Sequence, residues 1–158
     1  FLAYEALRDA PLREVRVETP IADAAANVLD ARTVVVPVLR AGFGMLAPML
    51  QILPESKVGV IGMRRDEATG NAESYYENVP AAAGGELGLL IDPMLATGGS
   101  ACDAVAKLKS LGYDNIKFLN LIAAPEGILR FEREHPDVAV YTASSVHVVT
   151  ALFQPLNA

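Results

Sequence analysis

The segment of this sequence best equipped for chemistry is an apolar run that ends in a carboxylate and then a glycine pair between two hydroxyls. It reads Glu86-Leu87-Gly88-Leu89-Leu90-Ile91-Asp92-Pro93-Met94-Leu95-Ala96-Thr97-Gly98-Gly99-Ser100. Gly98 and Gly99 let backbone N–H groups approach a ligand closely, and Thr97 and Ser100 add hydroxyl donors. A helix starting there adds unpaired N–H groups and a partial positive charge. Together these make a phosphate cradle, with Asp92 beside it to accept hydrogen bonds from sugar hydroxyls. No Lys follows the glycines, so the segment is not a Walker loop. The plain alternative is a capped helix start, because Asp, Ser and Thr cap helices widely and paired glycines make turns.

Two cationic points follow other apolar runs. Val36-Pro37-Val38-Leu39-Arg40-Ala41-Gly42-Phe43-Gly44 puts Arg40 at the end of a buried run, where an unpaired guanidinium is costly. With Gly42 and Gly44 permitting close backbone approach, the segment reads as a diphosphate-binding loop. The alternative is a turn whose Arg pairs with a local carboxylate. Arg64-Arg65 offers bidentate phosphate contact, or else a solvated charge pair beside Asp66 and Glu67.

Alternating strands and helices must position these points. Continuous apolar runs at 33–38, 58–63, 87–91, 116–121 and 138–141 predict strands covered on both faces. Helices are predicted over 43–52, 100–111 and 125–134, with Pro125 suited to a first turn and Gly112 a stop. The residues from Phe1 to Leu7 also have helical spacing. This alternation implies a parallel α/β sheet with right-handed crossovers, and the segments after the strands converge on one edge. Residues 64–85 break the rhythm. They are polar and glycine-bearing, and Tyr75-Tyr76 within them suggests a hairpin flap. A single domain over 1–158 is expected.

Composition narrows the partners. Of 158 residues, 52% are hydrophobic and 20% charged, a globular balance. The net charge of −6 disfavours nucleic acid, yet a few local cations can still hold a small anion. No apolar run reaches the roughly 18 residues needed to span a membrane, and nothing at the front reads as a secretory signal. The lone Cys102 forms no internal disulfide, which suits a reducing cytoplasm. In the helix after the cradle it reads as a packing residue rather than a nucleophile. His135 reads as a helix-end dipole contact, and His147 as a bystander in an apolar run.

At this point a resemblance is visible. Asp92 through Ser100 resembles the phosphoribosyl diphosphate (PRPP) signature of the uracil phosphoribosyltransferase family, in which Asp-Pro replaces the two acids of most type I relatives. Val36 through Gly42 resembles that family's diphosphate loop. Lys57-Val58-Gly59 through Gly62, with Arg65-Asp66-Glu67 and Thr69, resembles the strand entering its flap. Leu121 through Gly127 and His135-Pro136-Asp137 are further family runs, and the likeness extends from Leu2 to about Ser144. Arg64 departs from the aromatic residue common at its position.

The resemblance implies a type I phosphoribosyltransferase core that converts uracil and PRPP to UMP and diphosphate in pyrimidine salvage. Mg²⁺ would be bound through PRPP with no protein metal site of its own. Arg40, Ala41, Gly42 and Arg65 would bind the diphosphate end. Asp92, Pro93, Met94, Leu95, Ala96, Thr97, Gly98, Gly99 and Ser100 would bind the ribose phosphate. Asp92, Arg40 and Arg65 are the expected catalytic residues. A homodimer or higher homo-oligomer and GTP activation are also implied, with no residues assigned to GTP.

After Ser144 the family continues with a glycine-rich stretch that recognises uracil. Here residues 145–158 read differently, from Ser145-Val146-His147 to Leu156-Asn157-Ala158. The expectation is therefore a core without the family's N-terminal segment and with an incomplete base-binding hood, through frameshift, truncation or divergence. Three readings stand: a working transferase, completed by a partner subunit if need be; a PRPP-binding core without transferase activity; and an RNA regulator on the same fold. The acidic charge and the Asp-Pro motif speak against the last.

Overall fold

The computed structural model describes residues 1–65 and 72–146. The centre of the main sheet is built from continuous apolar runs, as the sequence predicts. Its strands are β3 (Thr33–Leu39), β4 (Lys57–Val58), β5 (Val60–Arg65), β6 (Ala72–Asn78), β7 (Leu87–Ile91), β8 (Met94–Leu95), β9 (Asn115–Ala123) and β10 (Ala139–Ser145). Before them come a short helix α1 (Leu2–Ala6) and a separate hairpin of β1 (Leu12–Val17) and β2 (Ala24–Leu29). The longer helices are α2 (Phe43–Ile52), α3 (Gly99–Ser110) and α4 (Pro125–Glu134).

The spatial order is β10-β9-β7-β3-β5-β6, with β4 beside β3 and β8 beside β9. Every pairing is parallel except β5 with β6. Both faces are covered, so β7 is buried at every position and β3 at all but its last. Alternate residues feed two cores. Val34, Val36, Val38, Leu90 and Phe118 pack with α3 and with Phe131 of α4, whose ring stacks on Phe118 at 5.2 Å. Val35, Leu87, Leu89, Ile91 and Leu119 pack with α1 and α2 on the other face.

The order also creates a switch point. From β3 the chain moves to β5 on one side, then returns to β7 on the other. The connections leaving β3 and β7 diverge there, and such a crevice at the carboxyl ends of the strands is where open α/β sheets bind ligands.

The hairpin expected around Tyr75-Tyr76 begins at Val60 and ends at Asn78. It is the antiparallel hairpin of β5 and β6, with a register shift between Gly62 and Met63. Residues beyond it run back along the end of α3: Ala82 N–H donates to Leu111 O at 2.9 Å, and Tyr113 Oη–H to Pro80 O at 2.8 Å. These bonds go to distant backbone, which the polar composition of the segment does not reveal.

Candidate functional site

The cradle forms where β7 gives way to α3. Gly98 is the residue before the helix and takes φ +82°, a left-handed conformation open to glycine. It has no side chain with which to cap α3. The helix start is thus a glycine turn and not a side-chain cap from its N-cap residue. No acidic residue stands in the first turn. A small cavity of about 110 Å³ opens there, lined by Asp92, Met94, Leu95, Ala96, Thr97, Gly98, Gly99, Ser100 and Ala101. An anion fits such a cavity at a helix N-terminus. Pro93, between its two first lining residues, accepts backbone bonds from Leu121 and Ile122 at 3.1 and 3.0 Å and so ties the loop to β9.

Asp92 is half-buried at the lip of that cavity. Its N–H donates to Leu119 O at 3.2 Å, carrying the ladder one step past β7. Burial pushes its carboxyl up to about 6, against the opposing hydrogen bond from the Met94 backbone. A carboxylate short of donors at this position has capacity for the hydroxyls of a sugar.

Arg40 follows β3 on the other side of the switch point. A cis peptide bond joins it to Leu39. The expectation of a buried guanidinium is corrected. Arg40 is exposed, because the strand runs out of cover at Leu39, so no desolvation cost demands a partner. No carboxylate among the described residues pairs with it, which removes the local-ion-pair alternative. It lines an open cleft of about 410 Å³ with Met63, Arg64 and Tyr75, so the β3 loop and the flap hairpin face a common space. Gly42 is wedged between the loops. A Cβ built there would lie 2.6 Å from Val38 O and 2.5 Å from Ile91 O. Ala41 is exposed beside it.

Arg65 ends β5 opposite Ala72, and its side chain lies outside the described set. So do Asp66, Glu67 and Thr69, and likewise His147 and the rest of the tail to Ala158.

His135 does not act on the end of its own helix. It is buried, and its Nε2–H donates to Cys102 O at 2.9 Å while Lys109 approaches Nδ1 at 3.3 Å. It is a strut between α4 and α3. Cys102 is buried as expected, and burial pushes its thiol up to about 12. Two contributors were not legible from residue types. Gly127 lets α4 press on the cradle, since a Cβ there would lie 2.3 Å from Ala96 O. Tyr75 lines the Arg40 cleft from the flap and stacks across Gly62, 2.7 Å from a Cβ position there. A glycine inside the first turn of α4 was the one available signal for the former.

A larger cavity of about 610 Å³ lies at the opposite end of the sheet, beneath β1 and β2. It is lined by strand starts and by the end of α2, and the loops of the switch point do not reach it.

The sequence pattern of the family described as uracil phosphoribosyltransferase matches residues 1–150. The chain is 48% identical over 144 residues to a uracil phosphoribosyltransferase of Thermoanaerobacter sp. (strain X514), covering 90% of this chain and 69% of that one. The structure of AQ2163 protein from Aquifex aeolicus superposes with a TM-score of 0.83 at 37% identity, over 91% of this chain and 69% of that one. A purine phosphoribosyltransferase from Pyrococcus horikoshii Ot3 shares the fold at 17% identity and a TM-score of 0.58, over 72% of this chain and 70% of that one.

Proposed function

This chain belongs to the uracil phosphoribosyltransferase family, and from that membership we propose that the crevice between β3 and β7 binds PRPP and transfers its phosphoribosyl group to uracil, giving UMP and diphosphate. The observation that carries the reading is the pairing of a helix start at the left-handed Gly98 with an exposed Arg40 across one switch point. No observation favours a PRPP-binding core without transferase activity.

In this reading the backbone N–H groups and hydroxyls from Ala96 to Ser100 hold the ribose phosphate. Asp92 accepts the ribose hydroxyls. Arg40, Ala41 and Gly42 hold the diphosphate, with Arg65 from the flap. The C1–O bond to diphosphate breaks, the bond from C1 to uracil nitrogen forms, and the ring carries oxocarbenium character between them. Catalysis then consists of positioning and charge stabilisation, with Arg40 and Arg65 on the leaving group. The β5–β6 hairpin would close over the cleft and keep water from the ring.

The donor set suits Mg²⁺ carried by PRPP. No three ligating side chains converge among the described residues, and Mg²⁺ favours substrate phosphates and water over a protein cage. When bound it neutralises charge on the departing diphosphate.

We further propose a homo-oligomer in the cytoplasm. The β1–β2 hairpin pairs with no other strand and exposes Leu12, Val17 and Ile21, and a two-stranded hairpin is marginal without a neighbour to pack on. The lone buried thiol of Cys102 suits a reducing compartment. No described helix is long and apolar enough to cross a membrane. GTP activation is carried over from the family, and no residue is assigned to it.

The testing experiment is UMP formation from labelled uracil and PRPP with Mg²⁺. Product is expected. Its absence from folded chain at saturating substrates would overturn the transferase reading.

A further inference from the structure

The cradle from Met94 to Ser100 carries no cationic side chain of its own, although a phosphate monoester brings about −1.5 to −2 charges. Helix α4 brings a cation to it. Its first turn presses on the loop: a Cβ built at Gly98 would lie 3.1 Å from Gly127 O. Farther along α4, Arg130 lies against the same glycines. Its Cδ is 3.4 Å from a Cβ position on Gly98, and its Nη1 is 3.3 Å from one on Gly99. Only residues without side chains leave the guanidinium this close to the first turn of α3.

The guanidinium is also aimed. Arg130 Nε donates to Glu134 Oε1 at 2.9 Å, one helical turn on. That bond uses the Nε edge, and neither Nη group has an acceptor among the described residues. Asp103 is the other acid in its electrostatic surroundings. A half-exposed cation thus has a donor edge without an acceptor among the described residues, beside a helix start that itself suits an anion. A structural Arg serving α4 alone would need only the Glu134 pair.

We propose that Arg130 is a binding residue for the phosphate of the phosphoribosyl substrate, its Nη edge completing the cradle formed by Thr97 to Ser100. Glu134 is then a positioning residue that sets the orientation of the guanidinium. The inference rests on the PRPP reading and adds a residue to it. Because the Arg130 side chain is 41% exposed, solvent screens its charge and the effect is modest.

The test titrates the chain with two probes, ribose 5-phosphate and inorganic diphosphate, each with Mg²⁺. Arg130→Ala and Arg130→Gln are expected to lose about tenfold in affinity for ribose 5-phosphate and nothing for diphosphate. Arg130→Lys recovers part of the loss, and added salt narrows the gap between variant and parent. Equal losses for both probes would mean a general structural role and overturn the proposal, as would no loss for either. If the unaltered chain binds neither probe, the PRPP reading itself fails and takes this inference with it.

Discussion

Gly42 and Ile91 meet across the switch point of the sheet: a Cβ at Gly42 would lie 2.5 Å from the carbonyl oxygen of Ile91, the residue before Asp92. The loop that presents Arg40 and the strand that presents Asp92 are therefore in backbone contact. Their spacing is fixed by the absence of a side chain.

Gly42→Ala should separate them. The atoms in the way are backbone oxygens and a nitrogen, none of which can rotate aside. A loss of about 1–3 kcal/mol in stability is expected from such overpacking, with a larger loss in PRPP affinity. Thermal unfolding and calorimetric titration together check this. A variant with unchanged affinity would show that the two loops do not act as one site.

Asp92 predicts opposite pH trends for stability and binding. Its folded pKa of about 6 lies above the ordinary 3.8 because burial disfavours the carboxylate. Between these values the folded chain holds more protons than the unfolded one. The contribution to stability is full below 3.8 and is lost as pH rises through about 6. Asp92→Asn should flatten the fall in melting temperature over that window. PRPP needs the ionised acceptor, so its affinity should instead rise with pH there. The variant should lose that rise, leaving only the ionisation of PRPP itself.

Gly127→Ala tests the contact of α4 with the cradle. Its Cβ would lie 2.3 Å from Ala96 O, so either the loop or the helix must move. Affinity for ribose 5-phosphate should fall by at least tenfold, measured by titration. Retained affinity would mean that the cradle holds its shape without support from α4.

His135→Ala should cost stability and spare binding. It removes a buried hydrogen bond to Cys102 O and the ring packed against Phe131, while the carbonyl keeps its place inside helix α3. The expected loss is about 1–3 kcal/mol, with KM for PRPP unchanged. A selective rise in KM would instead place His135 in the substrate site.

The layered sheet was legible because its central strands β3 and β7 are apolar runs, and the helix at 125–134 because Pro125 stands in its first turn. The phosphate cradle was legible because glycines and hydroxyls follow a strand at close spacing. Three features were not. Lys117 sits inside a mainly apolar strand, and its use, donating to Ala6 O at 2.7 Å and pairing with Asp9, depends on α1 packing from far along the chain. Asn120, fully buried with both amide atoms lacking a hydrogen-bond partner, gives no sign of its burial in local pattern. The exposure of Arg40 turns on where β3 loses its cover, which no local residue type encodes.

The most direct test of the central claim is PRPP binding with Mg²⁺, measured by calorimetry side by side for the chain, Arg40→Ala and Asp92→Asn. The account predicts binding by the unaltered chain. It predicts an affinity loss of about tenfold or more in each variant, with Arg40→Ala as stable as its parent because the side chain is exposed and unpaired. Binding that survives both substitutions would contradict the placement of PRPP between β3 and β7.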